Sequence, residues 1–418
     1  MHPADLFVGL HANDANAFWL DRETNPDERF SVLGATSKVI EAEDFDWLAD
    51  ELHSQEQLDL PFIFRPGFVG LIDYEGTSKF LHIDRALVLD HDAQQIYFIG
   101  EFESAEKFEY WHHAALLRIG VSGGEQAMYK LKHSPLTSSA GSVRHDDEKY
   151  LELIKAAQKH IAAGDVYQLC LTNQISLKVS GDALQTFLQL RESNPAPYSA
   201  YLRIGELQVI SCSPEQFIKS TANGRISSKP IKGTRPRHSD RSADEQAAAE
   251  LQSNEKERAE NLMIVDLMRN DFGRVALADS VSVPKLFDVE SYATVHQLVS
   301  TVEAKLAPGM TAVDALKSAF PGGSMTGAPK RRAMEIIREL EAGKRGVYSG
   351  ILGFLTHGGV AEFGMVIRTL VVNGENATIG VGGGITIDSV PEAELQETKI
   401  KARALLAAVQ ARDPWANW

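Results

Sequence analysis

Two acidic pairs in the sequence have the spacing of metal ligands on helices. Glu394 and Glu397 lie three residues apart and Lys401 follows, so on a helix the three side chains share one face. Glu257 and Glu260 repeat the spacing just ahead of the apolar run NLMIVDLM. Carboxylate oxygens suit a hard divalent cation, and we predict that the two faces meet to bind Mg²⁺. A solvated helix face is the alternative.

A basic segment, SSKPIKGTRPRHSD, provides four cations close together: Lys229, Lys232, Arg235 and Arg237. In a chain of net charge −15, such a cluster suits an anionic small ligand. Lys232 stands between an apolar residue and a glycine, which makes it the candidate for burial. A buried lysine can lose its proton and act as a nucleophile or base. An exposed basic loop is the alternative interpretation.

Two glycine-rich segments have the composition of phosphate-binding loops. PGGSMTGAPK has two glycines at P-loop spacing, but Ala328 and Pro329 stand where Lys and Ser or Thr are required. GVGGGITID does not satisfy GxGxxG. What remains in the second segment is a backbone nest whose N–H groups could approach a carboxylate, with a plain tight turn as the alternative. The nest comprises Gly382, Gly383 and Gly384.

Composition limits the class of protein. The chain has 418 residues, 42 Lys and Arg against 57 Asp and Glu, 44% hydrophobic and 24% charged residues, which is typical of a folded globular protein. The acidic balance argues against nucleic acid or an anionic membrane as a partner. Its two cysteines suggest neither a disulfide framework nor a zinc site. Without a signal-peptide pattern or an 18-residue apolar run, we expect a cytoplasmic protein.

The elements that must position these residues follow from hydrophobic periodicity. Residues 1–120 are expected to form a β-rich amino-terminal region, 121–145 a connecting loop, and 146–418 the catalytic region. The patterns predict helices over 146–163, 253–268, 327–341 and 391–410. They indicate strands over 6–10, 30–33, 86–89, 96–99, 166–178, 207–212, 348–355, 363–372 and 377–381.

Several segments in the second half carry a family resemblance. They are SPEQF at 213–217, PIKGTRPR at 230–237, ERAENLMIVDLMRND at 257–271, TVHQLVST at 294–301, FPGGSMTGAPK at 320–330, IRT at 367–369 and GGGITIDSVPEAELQET at 382–398. Together they resemble the chorismate-utilising enzyme family over about 148–408, with weaker similarity in the first half. The resemblance implies an α+β fold, a two-lobed sandwich of antiparallel β-sheets with helices outside. Both halves are then expected to form one intertwined globule with the active site in the cleft.

Two positions within the resemblance indicate the reaction. Members that add water to chorismate carry a lysine where this sequence has Gln168, which disfavours water activation. Anthranilate synthases usually read PIAGT, whereas PIKGT resembles the members whose lysine, here Lys232, attacks the ring. The implied reaction is amination of chorismate at C4 to 4-amino-4-deoxychorismate, for 4-aminobenzoate and folate synthesis. The alternatives are an anthranilate synthase component I and a non-catalytic ligand-binding member of the family.

The same resemblance assigns roles residue by residue. Lys232 is implied as the nucleophile and Glu215 as the acid that protonates the leaving hydroxyl, with His296 near that hydroxyl. Mg²⁺ ligands are implied at Glu260, Glu397 and Glu394, with Glu257 in possible support. Contacts to the enolpyruvyl carboxylate are implied at Tyr348, Arg368, Gly383 and Gly384. The resemblance also implies that three residues lie around the ring carboxylate and the metal: Thr326, Gly327 and Lys401.

The ammonia source is expected to lie on another subunit. Neither cysteine has the sequence context of a glutaminase nucleophile. The family resemblance therefore implies a separate glutamine amidotransferase as partner, with chorismate as the substrate.

Overall fold

The computed structural model describes residues 2–25, 27–53, 55, 59–121, 124–412 and 414–415. Its helices are α1 (Pro3–His11), α2 (Ala105–Val121), α3 (Glu125–Lys132), α4 (Asp147–Ala162), α5 (Ala183–Ser193), α6 (Arg241–Ser253), α7 (Glu255–Gly273), α8 (Ala312–Ala319), α9 (Lys330–Glu341) and α10 (Pro391–Ala408). Its strands are β1 (Asn16–Asp21), β2 (Phe30–Ala35), β3 (Val39–Ala42), β4 (Gly67–Ile72), β5 (Ser78–Ile83), β6 (Arg85–Asp90), β7 (Gln95–Gly100), β8 (Thr137–Val143), β9 (Gln168–Ser180), β10 (Tyr198–Ile204), β11 (Leu207–Ser213), β12 (Gln216–Ser220), β13 (Arg225–Lys229), β14 (Ile231–Pro236), β15 (Ser282–Ser291), β16 (Val295–Lys305), β17 (Gly327–Ala328), β18 (Ile351–Thr356), β19 (Ala361–Met365), β20 (Thr369–Asn373) and β21 (Asn376–Ile385).

The strands form two large sheets. Among the described residues, the eleven-stranded sheet has the order β17-β9-β21-β20-β11-β10-β1-β2-β6-β7, with β8 beside β9. The ten-stranded sheet has the order β14-β16-β13-β12-β19-β18-β4-β5-β3, with β15 beside β16. Strands from the first 120 residues therefore join strands from the second half in both sheets. The two halves of the chain share their sheets instead of folding apart.

Alternation along the strands places one face of each sheet against the other sheet. In β1, Phe18 and Leu20 belong to a core shared with Val69 of β4 and Phe354 of β18, which lie in the other sheet. Trp19, between them, points to the opposite face and joins the core formed with helices α1 and α5, as the two-residue period of a strand requires. The predicted class is thus confirmed: an α+β sandwich of antiparallel sheets with helices outside.

Several local predictions differ from the structure. The apolar stretch 6–10 lies within helix α1, because its buried residues follow one helix face under the eleven-stranded sheet. The predicted connecting loop, 121–145, contains α3 and β8 in its described part. The predicted strand 363–372 is divided into β19 and β20, which belong to different sheets. The end of the predicted catalytic region, 416–418, lies outside the described residues.

Two helices that carry predicted site residues start as the sequence indicates. The side chain of Asn254 accepts a hydrogen bond from the backbone N–H of Glu257 at 3.1 Å and caps α7, which satisfies one free donor of its first turn. Pro391 occupies the first position of α10, where its missing N–H costs no helical hydrogen bond. None of the helices in the described ranges has the length and hydropathy needed to span a membrane.

Candidate active site

A cavity of about 580 Å³ lies between β14 of the ten-stranded sheet and β21 of the eleven-stranded sheet, with α7 and α10 beside them. Its wall contains five carboxyl groups, those of Glu215, Glu257, Glu260, Glu394 and Glu397. It also contains five cations, those of Lys232, Arg235, Lys256, Arg368 and Lys401. Tyr348 and the three consecutive glycines of β21 complete the part of the wall that the sequence predicted. A cavity this polar is suited to a small, highly charged ligand.

Two chain segments cross between the sheets at this cavity. Glu215 follows the end of β11 in the eleven-stranded sheet and precedes β12 in the other. Arg368 lies between β19 of the ten-stranded sheet and β20 of the eleven-stranded one. The crossings are hydrogen-bonded to each other: the N–H of Cys212 donates to the carbonyl of Arg368 at 3.1 Å, and the N–H of Met365 to that of Glu215 at 3.0 Å. This pairing fixes both side chains relative to the cavity.

Glu215 has the environment of a carboxylic acid that stays protonated near neutral pH. Its side chain is buried, and burial raises its pKa to about 7 against the opposing effects of a hydrogen bond with Ser324 and the charge of Lys232. A general acid works best when its pKa lies near the working pH. Glu215 thus has a pKa suited to a general acid, the role that the family resemblance implies for it.

Arg368 presents a guanidinium to the cavity without a carboxylate partner in the described residues. Its backbone lies in the left-handed region, at φ 50°, a conformation that non-glycine residues adopt rarely and often at functional sites. Burial lowers the pKa of Arg368 despite the raising effect of nearby Tyr348, and arginine still remains charged. A charged, unpaired guanidinium is a binding group for a carboxylate.

Lys232 lies on β14 and is largely buried, but its charge is stabilised. Its Nζ is 3.5 Å from Oε2 of Glu260. Burial lowers the pKa of Lys232, but the acidic groups around it, Glu260 foremost, together outweigh burial, and the pKa ends above its usual value. The expectation that burial alone would neutralise this lysine is therefore not met. The register of β14 shifts between Lys232 and Thr234, and such bulges commonly aim a side chain into an active site.

The other cations of the basic segment are paired with acids. Arg235 contacts Glu250 at 2.6 Å and Glu257 at 3.5 Å. Lys229 pairs with Asp27 and Glu290, and Arg237 pairs with Asp244. Of the four cations, only Lys232 and Arg235 line the cavity. Residues 227–236 of the segment lie almost entirely in the paired strands β13 and β14, and only its end, residues 237–240, is an exposed loop.

The two acidic helix faces do meet at the cavity, with lysines between them. Lys256 of α7 lies 3.7 Å from Glu260 and 3.6 Å from Glu394 of α10. Glu397 pairs with Lys401 at 2.8 Å. The hydroxyl of Ser389 donates to Glu394 at 2.7 Å. In this arrangement no group of three His, Cys, Asp or Glu residues within the described ranges converges as metal ligands.

The three glycines lie inside strand β21, paired with β9, and form neither a turn nor a nest. A Cβ atom at Gly384 would lie 3.0 Å from Nζ of Lys232, and one at Gly383 would lie 3.1 Å from Oε2 of Glu394. Nζ of Lys401 donates to the carbonyl of Gly382 at 2.8 Å. The glycines thus form a floor without side chains, which leaves room for the charged groups above it. Gly380 likewise receives the ring of Tyr348.

His296 is not in the cavity wall, contrary to its expected position near the leaving hydroxyl. Its neighbours on β16, Val295 and Gln297, do line the cavity, so the alternation of a strand directs His296 to the opposite face. There its ring nitrogens contact Asp244 at 2.9 Å and Ser291 at 2.8 Å. Through these two contacts, His296 connects β16 with α6 and with β15.

Thr326 and Gly327 also lie outside the cavity wall, although Ser324 and Met325 just before them belong to it. The hydroxyl of Thr326 donates to the carbonyl of Gly322 at 3.0 Å. A Cβ atom at Gly327 would lie 2.3 Å from the carbonyl oxygen of Gln168. Thr326 and Gly327 therefore fix the backbone of the segment behind the wall. They do not line the cavity, where the family resemblance implied that they would lie.

Comparison with known proteins shows the family of this chain. Residues 16–407 match the family described as chorismate binding enzyme. The chain belongs to this family. It is 38% identical to the aminodeoxychorismate synthase component 1 of Salmonella typhimurium over 372 residues, which covers 85% of this chain and 78% of that protein. The family resemblance in the sequence is thereby confirmed.

Two further relatives define the extent of the similarity. The chain is 40% identical to an aminodeoxychorismate synthase of Streptomyces griseus over 397 residues, 90% of this chain, but it spans only 55% of that protein's length. The crystal structure of anthranilate synthase component I from Streptococcus pneumoniae superposes with a TM-score of 0.77 at 30% identity, covering 94% of this chain and 90% of that one. This member of the chorismate binding enzyme family thus shares the fold of a chorismate-utilising enzyme.

Sequence reasoning missed three residues of the wall in particular. Lys256 stands four residues before Glu260, so helical spacing could have placed it on the same face. Ser324, whose side chain acts to lower the pKa of Glu215, stands within the glycine-rich segment but carried no signal of its own. Cys170 lies in the wall beside β21, and only the pairing of β9 with β21 reveals its position.

Proposed function

We propose that this chain aminates chorismate at C4 to give 4-amino-4-deoxychorismate, with Mg²⁺ as cofactor and ammonia from a glutamine amidotransferase subunit. The product would serve 4-aminobenzoate and folate synthesis. The observation that carries this proposal is the position of Lys232, whose amine lies in the cavity wall above Gly384 and beside Glu260. A lysine at this point can add to a ring held in the cavity.

The charges of the wall support a dianionic ligand accompanied by a divalent cation. Five carboxyl groups face five cations, and the pKa of about 7 leaves Glu215 largely protonated at mildly acidic to neutral pH. Chorismate contributes two carboxylates. Binding them together with Mg²⁺ leaves the net charge of the cavity unchanged, which avoids the large cost of an uncompensated buried charge.

The proposed reaction has two displacements. The neutral amine of Lys232 adds at C2 of the ring, both ring double bonds shift, and the C4 hydroxyl departs, taking a proton from Glu215 to leave as water. Ammonia then adds at C4, the two double bonds shift back, and the C–N bond to Lys232 breaks, so that the lysine leaves as a neutral amine. The new C4 ammonium gives one proton to the carboxylate of Glu215. Each residue thereby returns to its starting state.

The carboxylates of α7 and α10 fit a hard divalent cation by their chemistry. Glu260, Glu394 and Glu397 would hold Mg²⁺, with Glu257 nearby, and the ammonium of Lys256 between Glu260 and Glu394 marks where positive charge is favoured. When bound, Mg²⁺ would supply positive charge that offsets the carboxylates, which otherwise keep Lys232 protonated, and it would act as a Lewis acid toward the ring carboxylate.

Residues at the other end of the cavity wall would bind the enolpyruvyl carboxylate. Arg368 has a free guanidinium there, and Tyr348 packs against Gly380. Lys401, fixed by Gly382 and Glu397, would accompany the ring carboxylate. His296 would act as a positioning residue for β14 and β16, since it lies behind the wall.

The test is to incubate the purified chain with chorismate, Mg²⁺ and an ammonium salt and to identify the product. An amino product that retains its enolpyruvyl group, and that yields 4-aminobenzoate only after a separate lyase is added, would support the proposal. Glutamine in place of ammonium should give no product unless a glutaminase subunit is supplied. Fluorescent anthranilate with released pyruvate would overturn it.

The second candidate is anthranilate synthesis, in which ammonia enters at C2 and pyruvate is released. It is favoured by the likeness to the anthranilate synthase component I structure. The lysine at position 232 argues against it, because an amine that occupies C2 blocks the entry of ammonia there. The same product analysis separates the two reactions.

A further inference from the structure

Lys256 has a place in the cavity that the proposed reaction does not use. Its side chain is 53% exposed and reaches from α7 to α10. Its Nζ lies 3.7 Å from Oε1 of Glu260 and 3.6 Å from Oε1 of Glu394. In the described residues no other cation forms an ion pair with Glu394. One lysine therefore bridges the two acidic helix faces.

The carboxylates around Lys256 include all three of the proposed metal ligands. Partial burial disfavours its charge, and four carboxylates favour it: Glu260, Glu394, Glu397 and Glu257. Three of them, Glu260, Glu394 and Glu397, are the side chains that would hold Mg²⁺, and Glu257 lies nearby. The ammonium of Lys256 thus stands between two of the proposed ligands, Glu260 and Glu394.

We propose that Lys256 is a built-in counter-ion that occupies the metal site until Mg²⁺ displaces it, and that it thereby sets the affinity for the metal. This inference rests on the metal site of the proposed function. Its physical basis is competition between two cations for one set of carboxylates, since an ammonium this close repels an entering dication.

The side chain of Lys256 can move away from the carboxylates when a metal ion enters. Lysine carries a compact charge on a flexible four-carbon stem, and the exposed half of this stem opens toward solvent, so the ammonium can leave without unpacking the core. Lys232 lacks this freedom because it is largely buried against the glycine floor. Lys401 is held by the carbonyl of Gly382 as well as by Glu397.

The experiment is a titration of the full chain with Mn²⁺, followed by electron paramagnetic resonance, with Mg²⁺ as competitor. Lys256→Met should bind Mn²⁺ about tenfold more tightly than the unaltered chain, because one screened unit of positive charge is removed next to the site. Lys256→Arg retains the charge and should keep the original affinity to within about threefold. Lys149→Met is the matched control, since Lys149 has the same 53% exposure and an ion pair on its own helix, away from the cavity.

Thermal unfolding provides a second measurement that does not depend on turnover. Without metal, Lys256→Met should melt below the unaltered chain, since its carboxylates repel one another. Added Mg²⁺ should raise its melting temperature by more than that of the unaltered chain. Lys149→Met should show the ordinary Mg²⁺ shift.

The outcomes separate this inference from the function on which it rests. If the unaltered chain binds Mn²⁺ but Lys256→Met binds it equally or more weakly, the counter-ion role is wrong and the metal site stands. If neither protein binds Mn²⁺ while both remain folded, the metal part of the proposed function fails as well. Tighter binding by Lys256→Met alone supports the inference.

Discussion

The Nζ atom of Lys232 lies 3.5 Å from Oε2 of Glu260, so the proposed nucleophile and a proposed metal ligand form an ion pair. The lysine comes from a strand of the ten-stranded sheet and the glutamate from helix α7. This contact couples the protonation of the amine to the charge on the carboxylate. It connects the nucleophile with the metal site on which the proposed function depends.

Replacing Lys232 with alanine should reduce formation of the C4-amino product by about 10³-fold or more, because the covalent path loses its nucleophile. Without ammonia, the unaltered chain should gain the mass of chorismate less one water, as seen by intact-protein mass spectrometry. Lys229→Ala is the control from the same segment, as Lys229 pairs with Glu290 at 2.8 Å outside the cavity. Full product formation by folded Lys232→Ala would show that the lysine is not the nucleophile.

The rate should depend on pH through Glu215. The general acid must be protonated, and its pKa is about 7, whereas Lys232 must lose a proton in the unaltered chain and in Glu215→Gln alike. The ratio of kcat/KM for the unaltered chain to kcat/KM for Glu215→Gln should therefore be constant below pH 7 and fall toward tenfold per unit above it. Glu215→Gln should lower the rate by about 10²–10⁴-fold. A pH–rate profile of both proteins is the measurement. A ratio of the two rates that stays constant through pH 7 would contradict the role of Glu215.

Glu260→Gln should abolish Mg²⁺-dependent turnover without unfolding the chain, because it removes one anionic oxygen donor at the cavity wall. Activity across an Mg²⁺ titration, after treatment with a chelator, is the measurement. Asp266→Asn is the matched control on the same helix, since Asp266 is exposed and contacts only Arg269 among the described ion pairs. Equal activity of Glu260→Gln and Asp266→Asn would argue against a metal ligand at 260.

Arg368→Met should raise KM for chorismate about 10–100-fold and affect kcat less, since hydrogen bonds to a charged group contribute roughly 1.5–3 kcal/mol. The guanidinium has no carboxylate partner of its own within the described chain, so its loss leaves no internal charge uncompensated. Arg331→Met, at a side chain 96% exposed on α9, controls for the loss of one positive charge. Steady-state kinetics that show no difference between these variants would exclude substrate binding by Arg368.

Two glycines of the same strand should respond differently to alanine. At Gly384 the new Cβ would lie 3.0 Å from the flexible end of Lys232, and at Gly382 it would lie 2.3 Å from the carbonyl oxygen of Leu171. Gly384→Ala should therefore lose activity with a nearly unchanged melting temperature, whereas Gly382→Ala should lose about 1–3 kcal/mol of unfolding free energy. Thermal melts and product assays test the difference. Equal melting temperatures in the two variants would refute it.

The sequence by itself determined much of the local structure. Helical spacing correctly grouped Glu394, Glu397 and Lys401 on one face of α10, and all three line the cavity. Ordered motifs identified the family. Apolar periodicity located α4, α7, α9 and α10 and the strands β9, β11, β18, β19, β20 and β21, but it missed the other helices and strands described after residue 146. These features depend on neighbours a few residues apart, so they can be read from the chain directly.

Only the tertiary structure decided what surrounds those groups. The side on which His296 lies depends on the register of β16, and a shift of one residue would turn it into the cavity. The glycine floor exists because β21 pairs with β9, about 200 residues earlier. Glu215 and Arg368 face the cavity because the chain changes sheets at both positions. Such long-range pairings are determined by packing across the whole chain, and local sequence patterns carry no record of them.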